Sequence, residues 1–219
     1  MHDELKHLRF YRLSNPNELT QNQFLKLENE IKHPKSNTIS DEYLDFKLWY
    51  NGYSSRISYF SSFINARLYS LSQKTSKEII NLLEVGCGRT AKLSQLLAEQ
   101  GYEMTCIDPK LELTNCNEIK TIKGEFNYQS FDLSNFDCVI AQEPCAATEH
   151  IIRACIKQKV PFIMSLCGVP HTLISGEKPD DVYKWYYYLL DISPHNIHIE
   201  YLSITPLVRT VVFSYSNLD

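Results

Sequence analysis

Several features are scarce or missing in this sequence, and each absence excludes something. No apolar run approaches the roughly 20 residues that a bilayer-spanning helix needs, so no membrane span is expected. Met1, His2, Asp3, Glu4, Leu5 and Lys6 lack the shape of a secretory signal, which favours a cytoplasmic chain. Internal repeats and low-complexity segments are absent, which excludes solenoids and biased linkers. Neither sign of charge dominates: 22 Lys and Arg against 26 Asp and Glu give a net charge of −4. A nucleic-acid partner is therefore not indicated. The seven cysteines are odd in number, and no two stand in a C-x-x-C pair. Most lie within apolar segments, so they read as reduced thiols rather than a disulfide frame. Glycine occurs only 7 times in 219 residues, yet two fall one residue apart at 86 and 88.

That pair is the centre of the chain. Leu82, Leu83, Glu84 and Val85 read as the end of a buried strand, and Gly86-Cys87-Gly88 as a tight turn. Glycine removes the Cβ that would block either the turn or an approaching ligand. Residues 90–100 then carry Ala91, Leu93, Leu96, Leu97 and Ala98 at helical spacing, and Gly101 stops the helix. A second apolar stretch, Met104 to Ile107, ends at Asp108. Strand, glycine turn, helix and acid-tipped strand make a nucleotide-type βαβ unit, with Asp108 placed to accept hydrogen bonds from two ribose hydroxyls.

Glu84-Val85-Gly86-Cys87-Gly88 and Asp108 resemble the cofactor site of class I S-adenosylmethionine-dependent methyltransferases. The resemblance covers 78–216 and departs from the family at Thr90, where a third glycine is common. The same glycines also fit the G-x-G-x-x-G/A fingerprint of nicotinamide enzymes. Glu84 separates the two readings: nicotinamide turns usually carry an apolar residue there, whereas a carboxylate suits a ligand bearing an ammonium and a sulfonium. The resemblance implies S-adenosylmethionine as cofactor, held by Glu84, Gly86, Cys87, Gly88 and Asp108. After the third strand, Glu125 would accept from the adenine amine and Phe126 would pack on the ring. Gln142, at the tip of the fourth strand, completes the set.

The chain divides into an N-terminal helical extension, 1–75, and the cofactor-binding domain, 76–219. In the extension one helix is predicted over 17–33, with Leu19, Phe24, Leu27 and Ile31 as its apolar stripe. A second starts after Ser40 as N-cap and runs to about 72, with Asn51-Gly52 splitting it into two. Its aromatics, among them Trp49, Tyr53 and Phe60, serve either as packing or as a lid over substrate. In the domain, strands are predicted at 79–85, 104–107, 119–123, 136–141, 160–166, 197–204 and 208–215. A brief helix fits within 109–118, with longer ones at 148–159 and from Asp180 or Asp181 to 190. The alternation predicts an α/β, Rossmann-like, seven-stranded and mostly parallel sheet with helices on both faces. Only Thr205-Pro206 separates the last two strands, so they must pair antiparallel.

Ligands of such sheets sit beyond the carboxyl ends of the strands. The fourth tip carries Gln142, Glu143, Pro144 and Cys145, and the fifth carries Cys167 to His171. Methyl transfer from a sulfonium needs alignment first, and a base only for an uncharged hydroxyl or an ammonium acceptor. Glu143 and His171 are the candidate catalytic residues, with His150 a further base candidate. The resulting expectation is a methyltransferase acting on a small molecule. The alternatives are a non-catalytic scaffold that keeps the cofactor fold, and an NAD(P)-dependent oxidoreductase. Cys145, His150, Cys167 and His171 could also close a tetrahedral metal site, although their spacings match no common zinc motif and no metal is expected. A nucleophilic Cys145 beside a histidine is a further option.

Overall fold

The computed structural model describes residues 8, 20–33, 41–113, 119–166, 173, 174, 176, 180–204 and 207–214. They fall into two compact units, Met1–Arg56 and Ile57–Asp219. In the first unit, helix α1 spans Gln21–Lys32. It starts later than its apolar stripe suggests, because Thr20 and Gln23 form a capping box. The Gln23 amide donates to Thr20 Oγ1 at 3.3 Å, and the Thr20 amide donates to Gln23 Oε1 at 2.9 Å. Each bond satisfies a donor that the helix itself cannot. Leu27 and Ile31 are buried, while Leu19 lies outside the described residues.

Helix α2 spans Asp41–Thr75 without interruption, which corrects the expected split at Asn51-Gly52. A glycine in a helix interior costs only about 1 kcal/mol relative to alanine, too little to break a helix that continues for several turns on each side. Ser40, its expected cap, lies outside the described residues. From Ile57 onward α2 belongs to the second unit and buries a stripe of Ile57, Phe60, Ile64, Leu68 and Leu71. Asn65 donates to Gln100 Oε1 at 2.5 Å, and Arg67 pairs with Glu200 while its guanidinium lies 4.9 Å from the Phe63 ring centre.

The second unit is built on one sheet. Its strands are β1 Asn81–Val85, β2 Glu103–Ile107, β3 Ile119–Ile122, β4 Cys138–Gln142, β5 Phe162–Ser165, β6 Ile197–Ile204 and β7 Leu207–Ser214, in the order β3-β2-β1-β4-β5-β7-β6. The first five run parallel, and β7 lies antiparallel to both β5 and β6. Helices α3 (Lys92–Ala98), α4 (Thr148–Gln158) and α5 (Val182–Ile192) complete it. Leu83, Val85, Val139, Ala141, Phe162 and Met164 share one core with Ile151 and Ile152 of α4 and Trp185 and Leu189 of α5. Alternation along the strands turns Leu82, Glu84 and Cys106 to the opposite face, where Glu84 meets α3.

The described residues of two crossovers form no helix. Residues 109–113 form no helix: Lys110 N–H donates to Asp108 Oδ1 at 2.7 Å and Leu111 N–H to the Asp108 carbonyl at 3.2 Å, fixing a turn instead. Residues 114–118, the rest of the expected brief helix, are outside the described residues. Between β3 and β4 the chain folds Phe126, Phe131 and Phe136 onto the core, with ring centres 5.0 and 6.5 Å apart in succession. Gln158 of α4 holds that loop, accepting from Leu133 N–H and donating to the Phe131 carbonyl, both at 2.8 Å.

Asp137 pins the opposite end of the sheet. Its Oδ2 accepts from the amides of Ile80 and Asn81, both at 2.9 Å, and its Oδ1 from Lys77 at 2.6 Å. Partial burial opposes ionisation, but Lys77 and the two amides win and hold the carboxyl below its usual range. Asp137→Ala should lower stability at pH 7 by about 2 kcal/mol, since two amides lose a charged acceptor. Because the folded-state pKa is depressed, this contribution is present above the usual carboxylate range and fades as pH falls through it. Urea unfolding checks this, and a change within about 0.5 kcal/mol would contradict it.

Candidate functional site

The carboxyl ends of β1, β2, β4 and β5 meet at one edge of the sheet, as the parallel register requires. Gly86 N–H donates to the Ile107 carbonyl at 2.9 Å, so the turn after β1 is stitched to the tip of β2. Gly86 and Gly88 hold φ of 75° and 68°, a region that glycine enters without steric cost. They differ in what surrounds them. A Cβ on Gly86 would stand 3.1 Å from Pro144 Cα and 3.2 Å from its Cβ, whereas a Cβ on Gly88 would meet nothing within 4 Å. The first glycine lets two strand tips touch, and the second borders open space.

Asp108 faces this turn. Its Oδ2 accepts from Gly88 N–H at 3.0 Å, and its other oxygen is the acceptor for Lys110. Each carboxylate oxygen can take more than one hydrogen bond, so acceptor capacity remains for hydroxyls. The turn is further tied to the segment after β2 by a Glu112 N–H to Arg89 carbonyl bond of 2.9 Å and by the Arg89–Glu112 ion pair.

Glu84 lies at the same strand end but is buried, only 2% exposed. Its Oε2 accepts from the backbone N–H of Ser94 at 2.9 Å and from the Ser94 hydroxyl. Helix α3 begins after Ala91, which has no side chain able to cap it. Glu84 therefore supplies from β1 the acceptor that an N-cap residue would otherwise provide. Burial pushes its carboxyl up to about 7, against the opposing pull of the two Ser94 donors and with a smaller upward push from Asp108.

Cys87 is half-buried. The neighbouring Cys106 thiol, burial, and the carboxylates of Glu84 and Asp108 all push its thiol up. It therefore stays protonated and is a poor nucleophile at neutral pH. Phe126 is buried in the core against Phe131, while Glu125 beside it is exposed. Gln142 is half-buried and pairs in register with Ser165.

The tip of β4 has unusual backbone. Glu143 and Cys145 adopt φ of 54° and 49°, and neither is glycine. Pro144 between them is buried against Gly86. Glu143 N–H donates to the Ser165 carbonyl at 2.8 Å, and Ala147 N–H to the Pro144 carbonyl at 3.0 Å. Cys145 is exposed and its thiol lies 3.4 Å from the Glu143 carbonyl. His150 makes its contacts with Tyr128, accepting a long 3.5 Å bond from its amide at Nδ1 and meeting its ring edge-on at 5.5 Å. Next to it, buried Glu149 accepts from Arg153 at 2.8 Å, from the Tyr188 hydroxyl at 2.5 Å and from the Ile174 amide at 2.7 Å. That network ties Ile174, beyond β5, to α4.

His171 and Cys167 lie outside the described residues. Among the described residues no cluster of three His, Cys, Asp or Glu is arranged to hold a metal ion. Sequence reasoning missed Ser94, Glu149 and the seating of Pro144 on Gly86. Ser94 left a signal, a polar residue on the apolar face of a helix, which demands a buried partner. The other two left none.

No protein-family model matches the sequence, and no curated protein matches it significantly. Solved structures do match its fold. Magnesium protoporphyrin IX methyltransferase from Synechocystis PCC 6803, solved with bound S-adenosylmethionine, aligns over 96% of both chains at 12% identity with a TM-score of 0.50. WbdD, described as a bifunctional kinase-methyltransferase, aligns over 73% of this chain and 35% of its own at 19% identity, also with a TM-score of 0.50. The chain has the class I methyltransferase fold. It spans 35% to 40% of the WbdD length. Within this methyltransferase fold, the glycine turn and Asp108 lie at the carboxyl edge of the parallel strands, where open α/β sheets take their ligands.

Proposed function

We propose that the chain is a cytoplasmic S-adenosylmethionine-dependent methyltransferase acting on a small-molecule acceptor. The observation that carries this reading is the pairing of Asp108 with Gly88 N–H beside open space, where a Cβ would meet nothing within 4 Å. That cradle fits a nucleoside: backbone can approach at Gly86, Cys87 and Gly88, and the Asp108 carboxylate has capacity for ribose hydroxyls. The magnesium protoporphyrin IX methyltransferase with the same fold was solved with S-adenosylmethionine bound, which supports the cofactor. The cofactor supplies an activated methyl group on a sulfonium.

The residues of this chain do the rest. Glu84 acts through Ser94, holding the turn and the start of α3 in place. Glu125 and Phe126 border the adenine end, with Phe126 as buried backing for exposed Glu125, and Gln142 reaches the cofactor from the tip of β4. Glu143 is the base where the acceptor is a hydroxyl or an ammonium, because it follows β4 directly. His171, after β5, is the second candidate for proton handling.

Titration calorimetry of the full chain with S-adenosylmethionine, S-adenosylhomocysteine and NADPH tests the reading. Micromolar binding of the first two and none of NADPH is the expected result. Binding of NADPH alone would replace it with the oxidoreductase reading. Cofactor binding that persists while Glu143→Gln leaves methyl transfer to a found acceptor unchanged would remove Glu143 as the base.

A further inference from the structure

The tip of β4 is strained where nothing in its sequence demands strain. A non-glycine residue in the left-handed region costs of the order of 1 kcal/mol, and Glu143 and Cys145 both sit there, with φ of 54° and 49°. Such a conformation persists only when its surroundings hold it. Three holds are visible. Glu143 N–H is tied to the Ser165 carbonyl at 2.8 Å, the Pro144 carbonyl takes Ala147 N–H at 3.0 Å, and Pro144 is buried against Gly86. The first two lie within the β4–β5 region. The third reaches into the glycine turn, whose next residues carry Gly88 N–H and its bond to Asp108. A ligand that fixes this turn therefore fixes one wall of the tip that presents Glu143 and Cys145.

We propose that Pro144 is a positioning residue: by seating on Gly86 it makes the shape of the β4 tip, and so the presentation of Glu143 to the acceptor, depend on occupancy of the cofactor turn. The contact distances leave little slack, since a single added methyl on Gly86 would approach Pro144 to 3.1 Å. Close-packed contacts of this kind transmit displacement rather than absorb it. The proposal rests on the cofactor reading given above.

Cys145 is a built-in reporter, because its thiol is exposed on the strained tip. The experiment measures the alkylation rate of Cys145 by iodoacetamide in the full-length chain, with and without saturating S-adenosylhomocysteine. Peptide mass spectrometry reads Cys145 apart from the other six cysteines. Calorimetry on the same samples reports binding. In the wild type, ligand should change the Cys145 rate by about fivefold, the size of an ordinary coupling free energy. Pro144→Gly removes the Cβ that faces Gly86 and the ring constraint that fixes the Pro144 backbone, and should bind ligand while losing the effect. Pro144→Ala keeps the Cβ and should restore most of it, which separates positioning from a general loosening of the fold. Protection of Cys145 that persists in Pro144→Gly would mean that the ligand merely covers the thiol, and would overturn the proposal. So would an unchanged rate in a wild type that binds ligand. Failure of the wild type to bind S-adenosylhomocysteine would instead remove the cofactor reading, and this inference with it.

Discussion

Asp108→Ala should lower the affinity for S-adenosylhomocysteine at least about 100-fold, since hydrogen bonds to a charged acceptor contribute some 1.5 to 3 kcal/mol each. Two effects combine. The ribose hydroxyls lose their acceptor, and Gly88 N–H, now bonded to Asp108 at 3.0 Å, loses the partner that fixes the turn. Lys110 N–H loses its 2.7 Å bond as well, which frees the segment after β2. Asp108→Asn keeps one oxygen and should fall between the alanine variant and the wild type. Thermal unfolding without ligand separates this loss from misfolding, because Asp108 is half-exposed and lies at the sheet edge rather than in the core. Calorimetry that found Asp108→Ala within about threefold of the wild type, less than one such hydrogen bond is worth, would take the ribose away from this carboxylate.

The second large effect is on stability and depends on pH. Glu84 is 2% exposed, and burial raises its carboxyl from 4.5 to about 7. The folded state therefore binds the proton more tightly than the unfolded chain. Stability from this group is complete below about 4.5 and is lost as pH climbs through about 7. The loss totals about 3 kcal/mol, because each tenfold gain in proton affinity on folding is worth about 1.4 kcal/mol. Glu84→Gln keeps an oxygen for the Ser94 donors but cannot ionise. Its stability relative to the wild type should rise steadily between pH 4.5 and pH 7 and level off above about pH 8. Urea unfolding of both proteins across that range checks the prediction. Curves that stay parallel would mean that Glu84 does not sense the low-dielectric interior.

Much of this arrangement can be read directly from the residues. Gly86, Gly88, Gly101 and Asp108 mark a strand end, a turn, a helix stop and a second strand end, because each position needs a specific backbone geometry or a specific acceptor. The apolar runs around Val139 and Ile163 announce strands covered on both faces. Other features leave no local trace. The helix through Asn51-Gly52 continues because cooperativity across α2 outweighs one unfavourable glycine. The left-handed backbone at Glu143 and Cys145 is invisible in a sequence without glycine there, since Gly86 and Ser165 hold it from outside, through Pro144 and the Glu143 amide. Glu84 suggests a direct ligand contact by its place before the turn. Its bond to Ser94 arises only once α3 folds back over β1. Phe126 likewise reads as a ring for stacking, and its packing against Phe131 in the core is set by the loop between β3 and β4, which no local pattern announces.

If the glycine turn and Asp108 hold S-adenosylmethionine, the backbone around them must sense the ligand. Titration of the isotopically labelled chain with S-adenosylhomocysteine, followed by amide resonances, tests this most directly. The amides of Gly86, Gly88 and Lys110 touch the turn or Asp108 and should shift together and saturate, while those of Gly101 and Gly176, exposed and distant from the turn in sequence, should stay put. Saturable shifts confined elsewhere, or none at all, would contradict a cofactor seat at this turn.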